Sequence, residues 1–283
     1  MNYIHFSIVI PLYNKEKYIA RTIQSVLNQT WPYYEVIVVD DGCTDNSVKV
    51  IEAFSDDRIT IVNQSNSGVS VARNNGIKQA KYNWVALLDG DDEWRPDFLK
   101  LLADNIKKNN TCAAYACAFK KIELNHTNKV GDKKFLPAKQ GVIDNYFKAL
   151  FFNGPIMTSS SICLNKKLIE EQGLLPLFPV GVKRGEDLDT WTRIALRNDI
   201  FYINSNLVNI HAVQDSTSHG KKYVYEESFD YFKWLDYKPN TYNKTLFLKK
   251  YVFKKKRKII KKLLLQHQFL KAIIVLKDYV KNI

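Results

Sequence analysis

In the first hundred residues, short apolar runs rich in β-branched residues alternate with stretches whose apolar residues recur at helical spacing. The apolar runs predict buried strands at 6–10, 36–39, 59–62 and 84–88, and Pro96 suits the first turn of the helix after the fourth run. Strands without a polar face that alternate with helices are typical of βαβ units. The pattern therefore predicts an α/β fold with a mostly parallel sheet and helices on both faces.

The second half of the chain has a mixed pattern. We expect strands at 159–164, 201–203 and 207–212, helices at 143–152, 165–170 and around Trp191, and mostly helix from 221 onward. The chain therefore divides into residues 1–110, residues 111–220 of the same domain, and a C-terminal helical extension at 221–283.

The positive charge is concentrated at the C-terminal end. The formal net charge is +13, and residues 244–283 carry 13 basic residues but Asp278 as their only acidic one. The rest of the chain is almost neutral. A balanced globular body and a basic extension need separate explanations.

Cysteine usage and the N-terminus bear on the compartment. Cys43, Cys112, Cys117 and Cys163 form no metal-binding or disulfide pattern, and the first residues lack the features of a signal peptide. No apolar run reaches the roughly 18 residues that span a bilayer. We therefore expect a cytoplasmic protein whose membrane contact, if any, is peripheral.

Polar residues follow each of the four predicted parallel strands. The clusters are at 11–14, 40–42, 63–68 and 89–92, and they include the pair Asp89 and Asp91. Because ligands bind beyond the carboxyl ends of parallel strands, the clusters predict a binding site at this edge of the sheet. Closely spaced carboxylates favour Mg²⁺ or Mn²⁺, which leaves coordination positions open for phosphates.

Two common nucleotide-binding motifs are missing. Strand one is not followed by the glycine-rich loop of P-loop enzymes or of dinucleotide dehydrogenases. A nucleotidyltransferase would also carry a Gly-rich, basic opening loop. A metal-bound diphosphate is therefore the ligand that the acidic edge favours.

Several segments, in this order, resemble glycosyltransferase family 2, the inverting nucleotide-sugar transferases of the A-type glycosyltransferase fold. The resemblance covers about the first 215 residues. It rests on the following segments: SIVIPLYN at 7–14, QTWP at 29–32, EVIVVDDG at 35–42, TDNS at 44–47, NSGVSVARNNG at 66–76, LLDGDDEW at 87–94 and GEDLDTW at 185–191. Cys43 departs from the family, which usually has serine there, and we expect little effect.

The resemblance implies a role for individual residues. Pro11, Tyr13 and Asp41 would hold the nucleobase, usually uracil. Arg73 would contact the nucleotide region and Asp41, while Asp89 and Gly90 would contact the ribose or the sugar. The remaining roles are these: Asp91 and His211 as metal ligands, Asp187 as general base, and Glu186, Lys183 and Arg184 on the acceptor side.

The resemblance also assigns the parts of the chain and the reaction. Residues 1–110 would bind the nucleotide sugar, and residues 111–220 the acceptor. Inversion requires in-line attack by an acceptor hydroxyl, with a base to take its proton and a divalent metal (Mn²⁺ or Mg²⁺) on the departing diphosphate. We expect a UDP-sugar donor and a glycan or lipid-linked acceptor in cell-surface polysaccharide synthesis.

Three interpretations of the basic extension are open. Its helices place Val252, Ile259, Ile260, Leu263 and Leu264 at helical spacing among many lysines. They could lie on an anionic membrane at the inner face of the cell membrane, pack on the body, or bind nucleic acid. We favour the membrane and expect no nucleic acid. A nucleic-acid-binding protein and an inactive nucleotide-sugar-binding homologue are the competing functions.

Overall fold

The computed structural model describes residues 3–122, 133–182, 185–212 and 242–281. Its elements, in chain order, are β1 (Phe6–Leu12), α1 (Ile19–Leu27), β2 (Tyr34–Asp40), α2 (Ser47–Glu52), β3 (Ile59–Asn63), α3 (Val69–Gln79), β4 (Trp84–Leu87), β5 (Glu93–Trp94), α4 (Phe98–Lys108), β6 (Ala114–Ile122), β7 (Gln140–Val142), α5 (Tyr146–Asn153), a 3₁₀ turn (Ser159–Ser161), β8 (Ile162–Asn165), α6 (Lys166–Glu171), α7 (Glu186–Arg197), β9 (Ile200–His211), α8 (Tyr242–Leu265) and α9 (Phe269–Lys281).

One sheet joins the two halves of the chain. Its strands lie in the order β3-β2-β1-β4-β8-β6-β9-β5, and β7 pairs with β9. The four N-terminal strands β1 to β4 are parallel, and β8 joins them to the second half by running antiparallel to β4 and β6. The predicted α/β sheet is therefore confirmed, but it is less parallel than expected, since four of the described strand pairs are parallel and four are antiparallel. The carboxyl ends of β1 to β4 share one edge.

Side chains that alternate along the strands feed two hydrophobic cores. On β1, Ile8 and Ile10 pack into one core with residues of α1 and α4, whereas Val9 faces the other core. The core that contains Val9 also contains residues of α3, α5, α7 and α8. Because a strand needs apolar residues at every position to fill both cores, the unbroken apolar runs correctly predict helices on both faces.

Gly76 allows α3 to approach the sheet closely. A Cβ at this position would lie 2.3 Å from Cγ1 of Val9 and 3.2 Å from Cγ2 of Val39. The glycine therefore sits where β1 and β2 pass directly beneath the helix. This contact fixes the distance between the sheet and a helix that also carries Arg73.

Some predicted boundaries are wrong. Pro96 precedes α4, which begins at Phe98, and Ser159–Ser161 form a 3₁₀ turn before the strand β8. The two strands predicted at 201–203 and 207–212 are one strand, β9. The exposed residues 204–206 do not end it, because irregular register opposite Ala118 lets pairing with β6 continue.

The basic extension contains two helices in its described part. Helix α8 packs against α5, and α9 packs against α8. Residues 213–241 lie outside the described residues, and the first part of the helical region predicted from 221 onward falls among them. In the part of the chain that the structure covers, we find no helix long and apolar enough to cross a bilayer.

Candidate active site

The loops that follow β1 and β2 are tied together at the edge of the sheet. The side chain of Asn14 donates to Thr44 Oγ1 at 3.1 Å and accepts from the Thr44 backbone N–H at 2.8 Å. The backbone N–H of Asn14 also donates to Cys43 Sγ at 3.4 Å. The thiol thus acts as an acceptor in this turn, and burial raises its pKa to about 12, which keeps it protonated at neutral pH.

Asp41 organises the loop that leads from β3 into α3. Its buried carboxylate accepts hydrogen bonds from the side chain of Gln64 at 2.8 Å and from the backbone N–H groups of Ser67 and Gly68 at 2.7 and 2.9 Å. The predicted contact between Asp41 and Arg73 is therefore wrong, because the guanidinium of Arg73 is directed to other carboxylates.

Arg73 joins two carboxylates from distant parts of the chain. Its Nη2 donates to Asp89 Oδ1 at 2.7 Å and its Nη1 donates to Asp187 Oδ1 at 2.8 Å, while Glu186 Oε1 lies 3.7 Å from Nη1. The guanidinium also lies over the ring of Phe178, 5.1 Å from its centroid. Burial opposes the charge of Arg73, but Asp89 and Asp187 raise its pKa, so the guanidinium stays charged.

The start of α7 positions Glu186 and Asp187. Gly185 precedes the helix with a φ of 89°, a left-handed conformation that favours glycine, and the first turn carries Glu186, Asp187 and Asp189. Acidic side chains are stabilised at this end of a helix by its dipole. The Oγ of Ser159 adds a second donor to Asp187 Oδ1, at 2.9 Å.

Burial makes the carboxylates of Glu186 and Asp187 more basic than usual. Desolvation, and then the nearby charge of Asp187, raise the pKa of Glu186 to about 7 although Arg73 opposes the shift. Desolvation also raises the pKa of Asp187, again against the effect of Arg73. A carboxylate with a raised pKa whose side chain is about one third exposed, as in Asp187, is suited to accept a proton from a hydroxyl.

The tight turn after β4 separates its acidic residues into different environments. Asp91 Oδ2 lies 2.6 Å from Lys15 Nζ. Asp92 is buried and accepts from Ser160 Oγ at 2.5 Å and from the backbone N–H of His211 at 3.1 Å. Desolvation, and then the charge of Asp89, raise the pKa of Asp92 well above its ordinary value. Asp92 therefore stabilises the turn, whereas the carboxylates of Asp89 and Asp91 are partly exposed at the edge of the sheet.

Asp91 is the carboxylate that the sequence assigns to a divalent cation. Its carboxylate is the type of ligand that Mg²⁺ and Mn²⁺ take, and such ions commonly use one or two carboxylates together with substrate phosphates. The ring of His211 is occupied with Glu93, since His211 Nε2 lies 3.2 Å from Glu93 Oε2. Across the described ranges no three His, Cys, Asp or Glu side chains form a metal-binding group. The donor set fits an ion whose other ligands come from the substrate.

The remaining predicted site residues are Pro11, Tyr13, Gly90, Lys183 and Arg184. Gly90 packs on β1, where an added Cβ would lie 3.4 Å from the carbonyl oxygen of Pro11. Tyr13, two residues after Pro11, is 46% exposed. Lys183 and Arg184 lie outside the described residues.

Sequence patterns did not reveal three contributors to this site. Lys15 pairs with Asp91, Ser159 donates to Asp187, and Ser160 donates to Asp92. Asn74 also exchanges two hydrogen bonds with the backbone of Phe178, which holds the segment before α7 against α3. The polar run of 158–161 before a buried strand was the one available signal for the serines.

Comparison with known proteins agrees with the fold. The family model described as "Glycosyl transferase family 2" matches residues 7–171. The chain therefore belongs to glycosyltransferase family 2 and is a glycosyltransferase.

Several similar proteins are named as glycosyltransferases. The chain is 31% identical over 204 residues to the Escherichia coli UDP-Glc:alpha-D-GlcNAc-diphosphoundecaprenol beta-1,3-glucosyltransferase WfgD, covering 71% of this chain and 74% of WfgD. It is 26% identical over 226 residues to the E. coli chondroitin synthase, covering 78% of this chain and 31% of the synthase. Coverage of the relatives varies: the chain spans 82% of TuaG from Bacillus subtilis but 29 to 33% of three Rickettsia glycosyltransferases.

A solved structure has the same fold. The chain matches the crystal structure of Staphylococcus aureus TarS residues 1–349 in complex with UDP-GlcNAc, with a TM-score of 0.66 and 21% sequence identity. The match covers 82% of this chain and 64% of that chain. It supports the A-type glycosyltransferase fold predicted from the sequence.

Proposed function

We propose that the protein is an inverting glycosyltransferase that moves a sugar from a UDP-sugar to a hydroxyl group of a glycan or lipid-linked acceptor in cell-surface polysaccharide synthesis. The observation that carries this proposal is the convergence of Asp89 and Asp187 on Arg73 at the edge of the sheet. Donor-side and acceptor-side residues, 98 positions apart, thus share one guanidinium.

Each side of the site has a proposed task. Residues 1–110 bind the donor, with Pro11, Tyr13 and Asp41 at the nucleobase and Asp89 with Gly90 at the ribose or sugar. Residues 111–220 bind the acceptor, and Asp187 accepts the proton of the attacking hydroxyl. The raised pKa of Asp187 supports this role because it increases the affinity of the carboxylate for that proton.

Charge on the leaving diphosphate requires compensation. Asp91 is the residue that would hold a Mn²⁺ or Mg²⁺ ion, which would supply positive charge to the phosphoryl oxygens when bound. Lys15 lies 2.6 Å from Asp91 and brings a second positive charge to the same place. The ammonium group therefore has to share or leave the Asp91 carboxylate when a cation binds.

Peripheral association with the inner face of the cell membrane is part of the proposal. The relative WfgD is named for an acceptor on diphosphoundecaprenol, a lipid. The basic extension provides charge that would attract an anionic membrane surface.

A panel of UDP-, GDP- and dTDP-sugars with Mn²⁺ tests the donor assignment. We expect a UDP-sugar to bind and to release UDP slowly without acceptor. Tyr13→Ala should weaken binding about tenfold if the ring contacts the nucleobase, whereas Phe152→Ala, which alters a similarly exposed ring on α5, should leave binding unchanged. Failure of every nucleotide sugar to bind would overturn the proposed function.

A further inference from the structure

The apolar stripe of α8 is already used inside the protein. Leu248, Tyr251, Val252, Ile259 and Leu263 are buried and belong to the same core as residues of α5. Of the stripe identified in the sequence, Val252, Ile259 and Leu263 therefore pack on the body, whereas Leu264 is exposed.

Helix α9 has the opposite arrangement. Its Ala272 and Val275 are buried, but most of its other apolar side chains face outward. Together with the end of α8 they form a surface that we call the α9 patch: Leu265, Phe269, Leu270, Ile273, Ile274 and Leu276, which are 46 to 79% exposed. A helix that is apolar on nearly all sides is normally covered by protein or lipid.

The surroundings of the α9 patch are basic. Lys258, Lys261 and Lys262 are exposed on the last turns of α8, and Lys277 is exposed on α9. From 242 to 277 the sequence contains no Asp or Glu. An apolar surface bordered by cations matches a bilayer with anionic headgroups. Pairing of two copies through this patch would instead bring like charges together.

We infer that the α9 patch inserts its apolar side chains into an anionic membrane surface, with the lysines at the end of α8 at the headgroups and α8 itself packed on the catalytic body. The inference rests on the proposed function for its purpose, which is to hold the active site next to a lipid-linked acceptor. Its physical basis, apolar exposure and charge, is independent of the reaction.

Flotation of the full chain with vesicles tests the inference. Vesicles of equal parts phosphatidylglycerol and phosphatidylcholine should carry the protein upward, and pure phosphatidylcholine vesicles should carry at least tenfold less. Leu270→Asn with Ile274→Asn should reduce flotation at least tenfold without unfolding the protein, because both side chains are exposed. Lys258→Gln with Lys261→Gln should also reduce it, whereas Lys78→Gln with Lys108→Gln, exposed on other helices, should not.

Two controls separate the inference from its alternatives. Release of UDP from a soluble UDP-sugar should be unchanged in Leu270→Asn/Ile274→Asn. A wild-type protein that floats but binds no nucleotide sugar would contradict only the proposed function. Equal flotation of wild type and this variant would overturn the inference. So would a wild-type dimer by light scattering that the same variant converts to a monomer, because the patch would then be a contact between copies.

Discussion

Arg73 Nη1 donates a hydrogen bond to Asp187 Oδ1 at 2.8 Å, although 114 residues separate them in the sequence. The other terminal nitrogen of the same guanidinium donates to Asp89, in the turn after β4. A lysine offers one nitrogen where arginine offers a planar fork, so arginine is suited to span both carboxylates.

Arg73→Met should destabilise the protein. It leaves neighbouring carboxylates without their shared counter-charge, and because Asp89 and Asp187 are about one third exposed we expect a loss of about 2–3 kcal/mol in the free energy of unfolding. Urea denaturation measures this loss. Arg58→Met removes a more exposed ion pair with Asp56 and should cost less than about 1 kcal/mol. Equal small losses in both variants would contradict the role of Arg73.

Glu186→Gln should stabilise the protein in a pH-dependent way. The pKa of Glu186 rises from 4.5 to about 7 on folding, so the folded protein binds this proton more tightly than the unfolded chain. Glu186 therefore lowers stability as the pH rises from 4.5 through 7. Relative to wild type, we expect a gain of about 1–3 kcal/mol at pH 8.5 and little change near pH 4. A difference that does not vary with pH would be inconsistent with this linkage.

Lys15→Met should strengthen Mn²⁺ binding to the donor-free protein. The ammonium group lies 2.6 Å from Asp91 Oδ2 and competes with a cation for that oxygen. Titration calorimetry should show at least a threefold gain in affinity, and Asp91→Asn should remove binding. Lys100→Met, which breaks a Lys–Asp pair on α4, serves as the control. Unchanged affinity in Lys15→Met would show that the ammonium does not compete.

Gly76→Ala should destabilise the fold despite the higher helix propensity of alanine. The new methyl group would meet Val9 at 2.3 Å and force α3 away from the sheet, at a cost of about 2–3 kcal/mol. Gln79→Ala, exposed on the same helix, should change stability by less than about 0.5 kcal/mol. Thermal or urea unfolding distinguishes these outcomes, and a stabilised Gly76→Ala would disprove the close contact.

The sequence was sufficient where local pattern determines structure. Unbroken apolar runs such as 36–39 are typical of strands covered on both faces, so they predicted the layers correctly. Strand β9 was split in the prediction because its polar residues 204–206 resemble a turn. Irregular pairing with β6 accommodates these residues, and the sequence of 204–206 alone does not reveal that pairing.

The contacts of the site depend on tertiary packing and were less predictable. The turn after β4 was recognised by its acidic residues, but the pairing of Asp91 with Lys15 joins segments 76 residues apart. The periodicity of α8 correctly predicted an amphipathic helix. It could not distinguish packing on α5 from packing on a membrane, because both require the same apolar stripe.

The central claim is that Asp187 accepts the proton of the acceptor hydroxyl. Its most direct test compares Asp187→Asn with wild type in two measurements, the affinity for the UDP-sugar and the rate of sugar transfer to the acceptor. We predict an affinity within about threefold of wild type and a rate lower by about 10²–10⁴, the typical contribution of a general base. A transfer rate close to that of wild type would contradict the claim.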